Sequence, residues 1–235
     1  FAHGRHLHTS PTTPPAAGGY NRTWQLVAQA AFNGTAVDRT HWSTYDGVGN
    51  EGVGTRASSH DVVQNGELKI IGTGTTAGGM CWCGKANTKQ TFGRWEIRAK
   101  TDKGNGFGPA LLLWPDSGVW PQDGEIDISE IPRGDRARSF FTVHYGSNNS
   151  QIGYGTSGDF SQWHTYAVEW MPDHITYFLD GVAMKTITNP AAIPQKSMHL
   201  AIQLDIGAAG HWIAPRDATT PAEVDLHVDW VKIYK

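Results

Sequence analysis

A chain of 235 residues with a formal net charge of -3 and only 17% charged residues carries no basic block, which argues against a nucleic-acid partner. No apolar run approaches the roughly 18 residues that a membrane-spanning helix needs, so no membrane partner is expected. Glycine, at 28 of 235 residues, stands well above its usual share of about 7%, which suits many short strands joined by tight turns in one domain.

In chain order, residues 1–19 are rich in Pro, Thr, Gly and His and read as a flexible leader or linker of the secreted type, so an extracellular location is expected. His3, His6 and His8 lie in it and could bind a metal only adventitiously. A single domain is expected over 20–235. Residues 24–31 form the only short apolar run that could hold a turn or two of helix. Val62-Val63, then Asn65-Gly66, then Leu68 to Ile71 predict a hairpin, because Asn-Gly accepts the positive φ angles of a type I′ turn. Cys81 and Cys83 flank Trp82 and are the only cysteines; a bridge across one residue and free thiols are equally open. Zinc spacing is absent around them. Residues 92–100 alternate, with Trp95, Ile97 and Ala99 on one face and Arg94, Glu96, Arg98 and Lys100 on the other. Further strands are expected at 139–145, 163–170, 175–179 (ending at Asp180-Gly181), 198–206 and 224–234. Short strands with turn signals between them predict an all-β sandwich or jelly roll.

The chemistry concentrates in Gly124-Glu125-Ile126-Asp127-Ile128-Ser129-Glu130. Strand side chains alternate with period two, so Glu125 and Asp127 share one face while Ile126 and Ile128 point to a core. Glu130 is one residue out of step, and a β-bulge around Ser129 would return it to the acidic face. Crowded carboxylates are electrostatically expensive, and glycosidic bond cleavage is the chemistry that needs two of them in different protonation states. A solvated acidic edge strand or a calcium site is the competing reading, although calcium loops are Gly- and Asn-rich and this run is not.

This motif resembles the active-site signature of glycoside hydrolase family 16 in its bulged, laminarinase-like form. Trp120-Pro121, Phe92-Gly93-Arg94-Trp95-Glu96, Trp163-His164-Thr165-Tyr166, Phe32-Asn33-Gly34, Phe178-Leu179-Asp180-Gly181 and Val228-Asp229-Trp230-Val231-Lys232-Ile233-Tyr234 carry the resemblance over nearly the whole chain. It implies a jelly roll of two curved antiparallel sheets with a concave substrate cleft, and a catalytic domain over 20–235. It also implies a retaining, endo-acting enzyme on a β-linked polysaccharide, with β-1,3-glucan the expected substrate. By match to the motif, Glu125 is the nucleophile, Asp127 the assisting carboxylate and Glu130 the general acid/base. Mixed-linkage glucan or agar hydrolysis and transglycosylation are the alternatives within the family, and a non-catalytic carbohydrate-binding jelly roll is the alternative outside it. Gly108-Pro109-Ala110-Leu111-Leu112-Leu113-Trp114-Pro115 and Ile206-Gly207-Ala208-Ala209-Gly210-His211-Trp212 depart from the usual laminarinase pattern in the cleft walls.

Aromatic faces pack on sugar rings, and Trp120, Trp114 and Trp212 are the candidates among the 10 Trp, with Trp95, Trp170 and Trp230 assigned to core or sheet packing. His144, Arg56 and Gln203 are candidate polar contacts. Catalysis needs no cofactor, and the expected state is a monomer. The resemblance further implies a structural calcium held by Asp229 and a carbonyl such as that of Gly66, although Gln29-Ala30-Ala31 replaces the usual acidic residue before Phe-Asn-Gly.

Overall fold

The structure, a computed structural model, describes residues 22–235. The leader and its histidines lie outside the described residues.

Two antiparallel sheets face each other, and alternation along their strands builds the core between them. The back sheet has eight strands: Val182–Ile187, His174–Leu179, His164–Met171, Gly93–Thr101, Val224–Tyr234, Glu67–Gly72 and Asp61–Gln64 in spatial order, with Leu26–Ala30 also pairing with Val224–Tyr234. The seven strands of the cleft sheet run Ser150–Ser157, Arg138–Tyr145, Glu125–Glu130, Phe107–Pro115, Met198–Ile206, Gly79–Cys81 and Ser43–Thr44. A small sheet of Gly47–Val48, Thr55–Arg56 and Thr76–Ala77 adds a wall. This is the jelly roll expected from sequence.

Trp95, Ile97, Val168, Trp170, Tyr177 and Val231 of the back sheet pack in one buried cluster with Leu113, Ile126, Ile128, Phe141, Leu200 and Ile202 of the cleft sheet. The hairpin at Asn65 and Gly66 has the type I′ signature, with φ of 54° and 78°, and Asp180 and Gly181 repeat it at 50° and 81°.

Residues 24–31 hold no helical turn, because Leu26–Ala30 is taken up by hydrogen bonding to the last strand. Trp230 packs on the sheet rather than in the core: a register shift between Val228 and Trp230 turns it to the outer face, where Lys232 Nζ lies 4.7 Å from its ring centroid. Cys81 and Cys83, left open by sequence, are paired in a disulfide.

Candidate active site

The acidic strand Glu125–Glu130 is fixed on both sides, by Phe107–Pro115 and by Arg138–Tyr145. Asp127 pairs with Leu112 and Ser129 with Leu111, so two residues of the acidic strand oppose one step of its neighbour. On the other side the pairing moves from Asp127–Thr142 to Glu130–Phe140, again gaining a residue. This is the bulge expected at Ser129. Ile126 and Ile128 are fully buried on the core side, whereas Glu125, Asp127 and Glu130 all line the cleft. Ser129 Oγ takes up the bulge by sharing a hydrogen bond with Ser139 Oγ at 2.8 Å.

The three carboxyls are placed in different surroundings. Trp120 Nε1 donates to Glu125 Oε1 at 2.9 Å. Asp127 is only 1% exposed; its Oδ2 lies 2.8 Å from His144 Nε2, and His144 Nδ1 lies 2.8 Å from Asn149 Oδ1. Burial, and then the charges of Glu130 and Glu125, push the Asp127 carboxyl well above the usual range. Burial is also the main cause at Glu130, opposed by a hydrogen bond with Asp127 and aided by the charges of Glu125 and Asp205, and together they bring it up to about 7. One strand therefore presents a carboxyl that keeps its proton to near neutrality close to a second one held by an indole N–H, an arrangement suited to acid/base and nucleophilic work.

Every residue expected to contact substrate lines the same cleft of about 790 Å³: Trp114, Trp120, His144, Trp212, Arg56 and Gln203. The rings of Trp114 and Trp120 stack at 5.8 Å and 14°, and Trp212, 56% exposed, stands edge-on to Phe140 at 5.5 Å. Sequence reasoning missed Asp205, Tyr45 and Asn149. Asp205 is buried, accepting from Gln203 Nε2 at 3.0 Å and from Arg56 Nη2 at 3.2 Å, while the Arg56 guanidinium lies 5.0 Å from the Tyr45 ring centroid. The signal was available for Asp205, which stands two residues beyond Gln203 and so shares its face.

Of the residues expected to hold calcium, Asp229 sits beside a cation, and Gly66 lies in the turn of the Asp61–Gln64/Glu67–Gly72 hairpin. Asp229 Oδ2 lies 3.6 Å from Arg98 Nε, and Asp229 joins none of the groups of three or more His, Cys, Asp or Glu among the described residues that could hold an ion.

A β-sandwich with an aromatic-walled cleft and unequal carboxyls on its floor defines a carbohydrate-cleaving class of protein. The sequence matches the family described as Glycosyl hydrolases family 16 over residues 51–232, and the chain belongs to that family. It is thus an O-glycoside hydrolase rather than a jelly roll that only binds sugar. It is 30% identical to a beta-glucanase of Rhodothermus marinus, over 90% of this chain and 85% of the relative. It is 29% identical to glucan endo-1,3-beta-glucosidase A1 of Niallia circulans, over 95% of this chain but only 39% of that longer relative. The laminarinase catalytic domain of Thermotoga maritima superposes with a TM-score of 0.79 at 25% identity, covering 90% of this chain and 98% of that one.

Proposed function

We propose that this chain is a retaining, endo-acting β-glucan hydrolase, with β-1,3-linked glucan of the laminarin type as its substrate. The observation that carries the mechanism is the pairing, on one bulged strand, of Glu130 with its pKa of about 7 and Glu125 held by Trp120. Glu125 attacks the anomeric carbon while Glu130 gives its proton to the leaving oxygen, forming a glycosyl ester. Esterification removes the charge of Glu125, which lowers the proton affinity of Glu130 and lets it act as base toward the incoming water. Asp127, joined to His144 and hydrogen-bonded with Glu130, is held by burial above the usual carboxylate range and shares protonation with Glu130.

The relatives named as glucan endo-1,3-beta-glucosidase and laminarinase support the substrate, as does an aromatic-walled cleft large enough for several polar contacts. A polymeric substrate supports work outside the cell, and the Cys81–Cys83 pair agrees with an oxidising compartment. Incubation with laminarin, barley mixed-linkage glucan, agarose and xyloglucan, followed by sizing of the products, tests the reading. Short laminari-oligosaccharides from laminarin are expected; an intact laminarin sample beside a degraded agarose or xyloglucan sample would overturn the substrate assignment.

A further inference from the structure

On the back sheet, away from the cleft, neighbouring strands bring one histidine together with several carboxylates. Asp225 and His227 stand two apart on Val224–Tyr234, Asp102 follows directly on Gly93–Thr101, and Glu67 opens Glu67–Gly72. His227 Nδ1 lies 2.7 Å from Glu67 Oε1, and His227 Nε2 lies 3.0 Å from Asp102 Oδ1. The second oxygen of Asp102 accepts the backbone N–H of Asp225 at 3.0 Å. Asp225 is only 4% exposed; among the described residues its Oδ1 has no donor, and the carboxyl beside it is that of Glu223, with which Asp225 can share a proton. A buried carboxylate oxygen without a donor is costly and calls for a positive partner. Donor atoms of Asp102, Asp225 and His227 all lie within 4.8 Å of one another.

Two other groups among the described residues come as close. Glu125, Asp127 and His144 belong to the cleft, and Cys81, Cys83 and His199 have their sulfurs tied in the disulfide.

We propose that Asp102, Asp225 and His227 form a binding site for a divalent metal ion of the zinc class, with Glu67 as the group that orients the histidine. An imidazole nitrogen favours zinc over calcium or magnesium, which take oxygen ligands. Two carboxylates balance the charge of the ion. A metal-bound histidine commonly gives its other N–H to a carboxylate, and Glu67 stands where that partner is needed. The ion would tie the last strand to the exit of Gly93–Thr101, a structural role on the sheet opposite the catalytic carboxyls. The competing occupant is a proton. Burial lowers the proton affinity of His227, but Asp102 and Glu67 outweigh it and raise the imidazole to about 9. Burial, and then the neighbouring Glu223, bring Asp225 up to about 7.

Calorimetric titration of zinc chloride into the chelator-stripped full chain separates the two. A one-to-one binding event is expected that disappears in His227→Gln and in Asp225→Asn, weakens roughly 10- to 100-fold in Glu67→Gln, and raises the Tm of the parent protein. His3, His6 and His8 are present in every variant, so any zinc they take remains in all of them, and the expected result is the loss of one equivalent relative to the parent. Asp225→Asn keeps the side-chain shape and serves should His227→Gln fail to fold. Absence of binding, or equal stoichiometry and affinity in the parent and both variants, would overturn the site and leave His227 a protonated structural residue.

Discussion

At Glu130, burial and the charges of Glu125 and Asp205 raise the carboxyl from an ordinary 4.5 to about 7, and this has consequences for both activity and stability. Loss of the proton above about 7 removes the general acid, so kcat/KM should fall on the alkaline side, and Glu130→Gln should lose roughly 100- to 10,000-fold. A pH–rate profile with no alkaline fall near 7 would contradict the role. For stability, the unfolded chain releases this proton at lower pH than the folded one. Between 4.5 and about 7 the folded state therefore holds more protons, and stability falls as pH rises through that window. Glu130→Gln should flatten this fall, becoming more stable than the parent by on the order of 1–3 kcal/mol at about pH 8, with partial solvent exposure trimming the effect. Urea unfolding of both proteins at about pH 4 and about pH 8 checks it. Trp120→Phe removes the donor to Glu125 Oε1 and shrinks the ring stacked on Trp114; a hydrogen bond to a charged group is worth about 1.5–3 kcal/mol, so kcat/KM should drop by at least about 10- to 100-fold. That Glu125 and Asp127 share the cleft face was legible from period two, and Glu130 joined them only through the bulge that its misfit demanded. Period two also put Asp205 on the face of Gln203, but its pairing with Arg56, 149 residues away in sequence, was not legible.

The bulged strand is the element on which the site depends. Removing Ser129 would leave Glu125-Ile126-Asp127-Ile128-Glu130, whose plain alternation still puts all three carboxyls on the cleft face. The flanking register would also become regular, with Thr142, Phe141 and Phe140 opposite Asp127, Ile128 and Glu130. Deletion of Ser129 is therefore expected to give a folded protein with measurable activity, whereas duplication of Ser129 should abolish activity by turning Glu130 away. Circular dichroism and laminarin cleavage by the two variants check this pair; an active duplication would contradict it. The strands with strong alternation, 198–206 and 224–234, were read at their observed bounds. Ser150–Ser157 went unread because its Gly-rich, polar sequence lies at the exposed edge of the sheet, where pairing to Arg138–Tyr145 rather than apolar patterning makes the strand.

At the scale of the molecule, the two sheets are held face to face by large side chains that cross between them. Phe141 of the cleft sheet stacks on Tyr177 of the back sheet at 5.1 Å and 7°, and both are buried. Phe141→Ala should cost about 3–5 kcal/mol, read as a lower denaturant midpoint, because the surrounding sheets close only partly over the cavity. A loss below about 1 kcal/mol would show that this crossing contact matters little to the sandwich. The jelly roll followed from turn signals and alternation, while the small third sheet, built from two-residue strands, left no periodic trace. Attack by Glu125 on the anomeric carbon, as proposed, cuts a β-1,3-glucan with retention of configuration. Proton NMR during the first minutes of laminarin digestion measures this directly: new reducing ends should appear first as the β-anomer, with the α-anomer growing in later by mutarotation, and α-anomer appearing first, or no new ends at all, would contradict it.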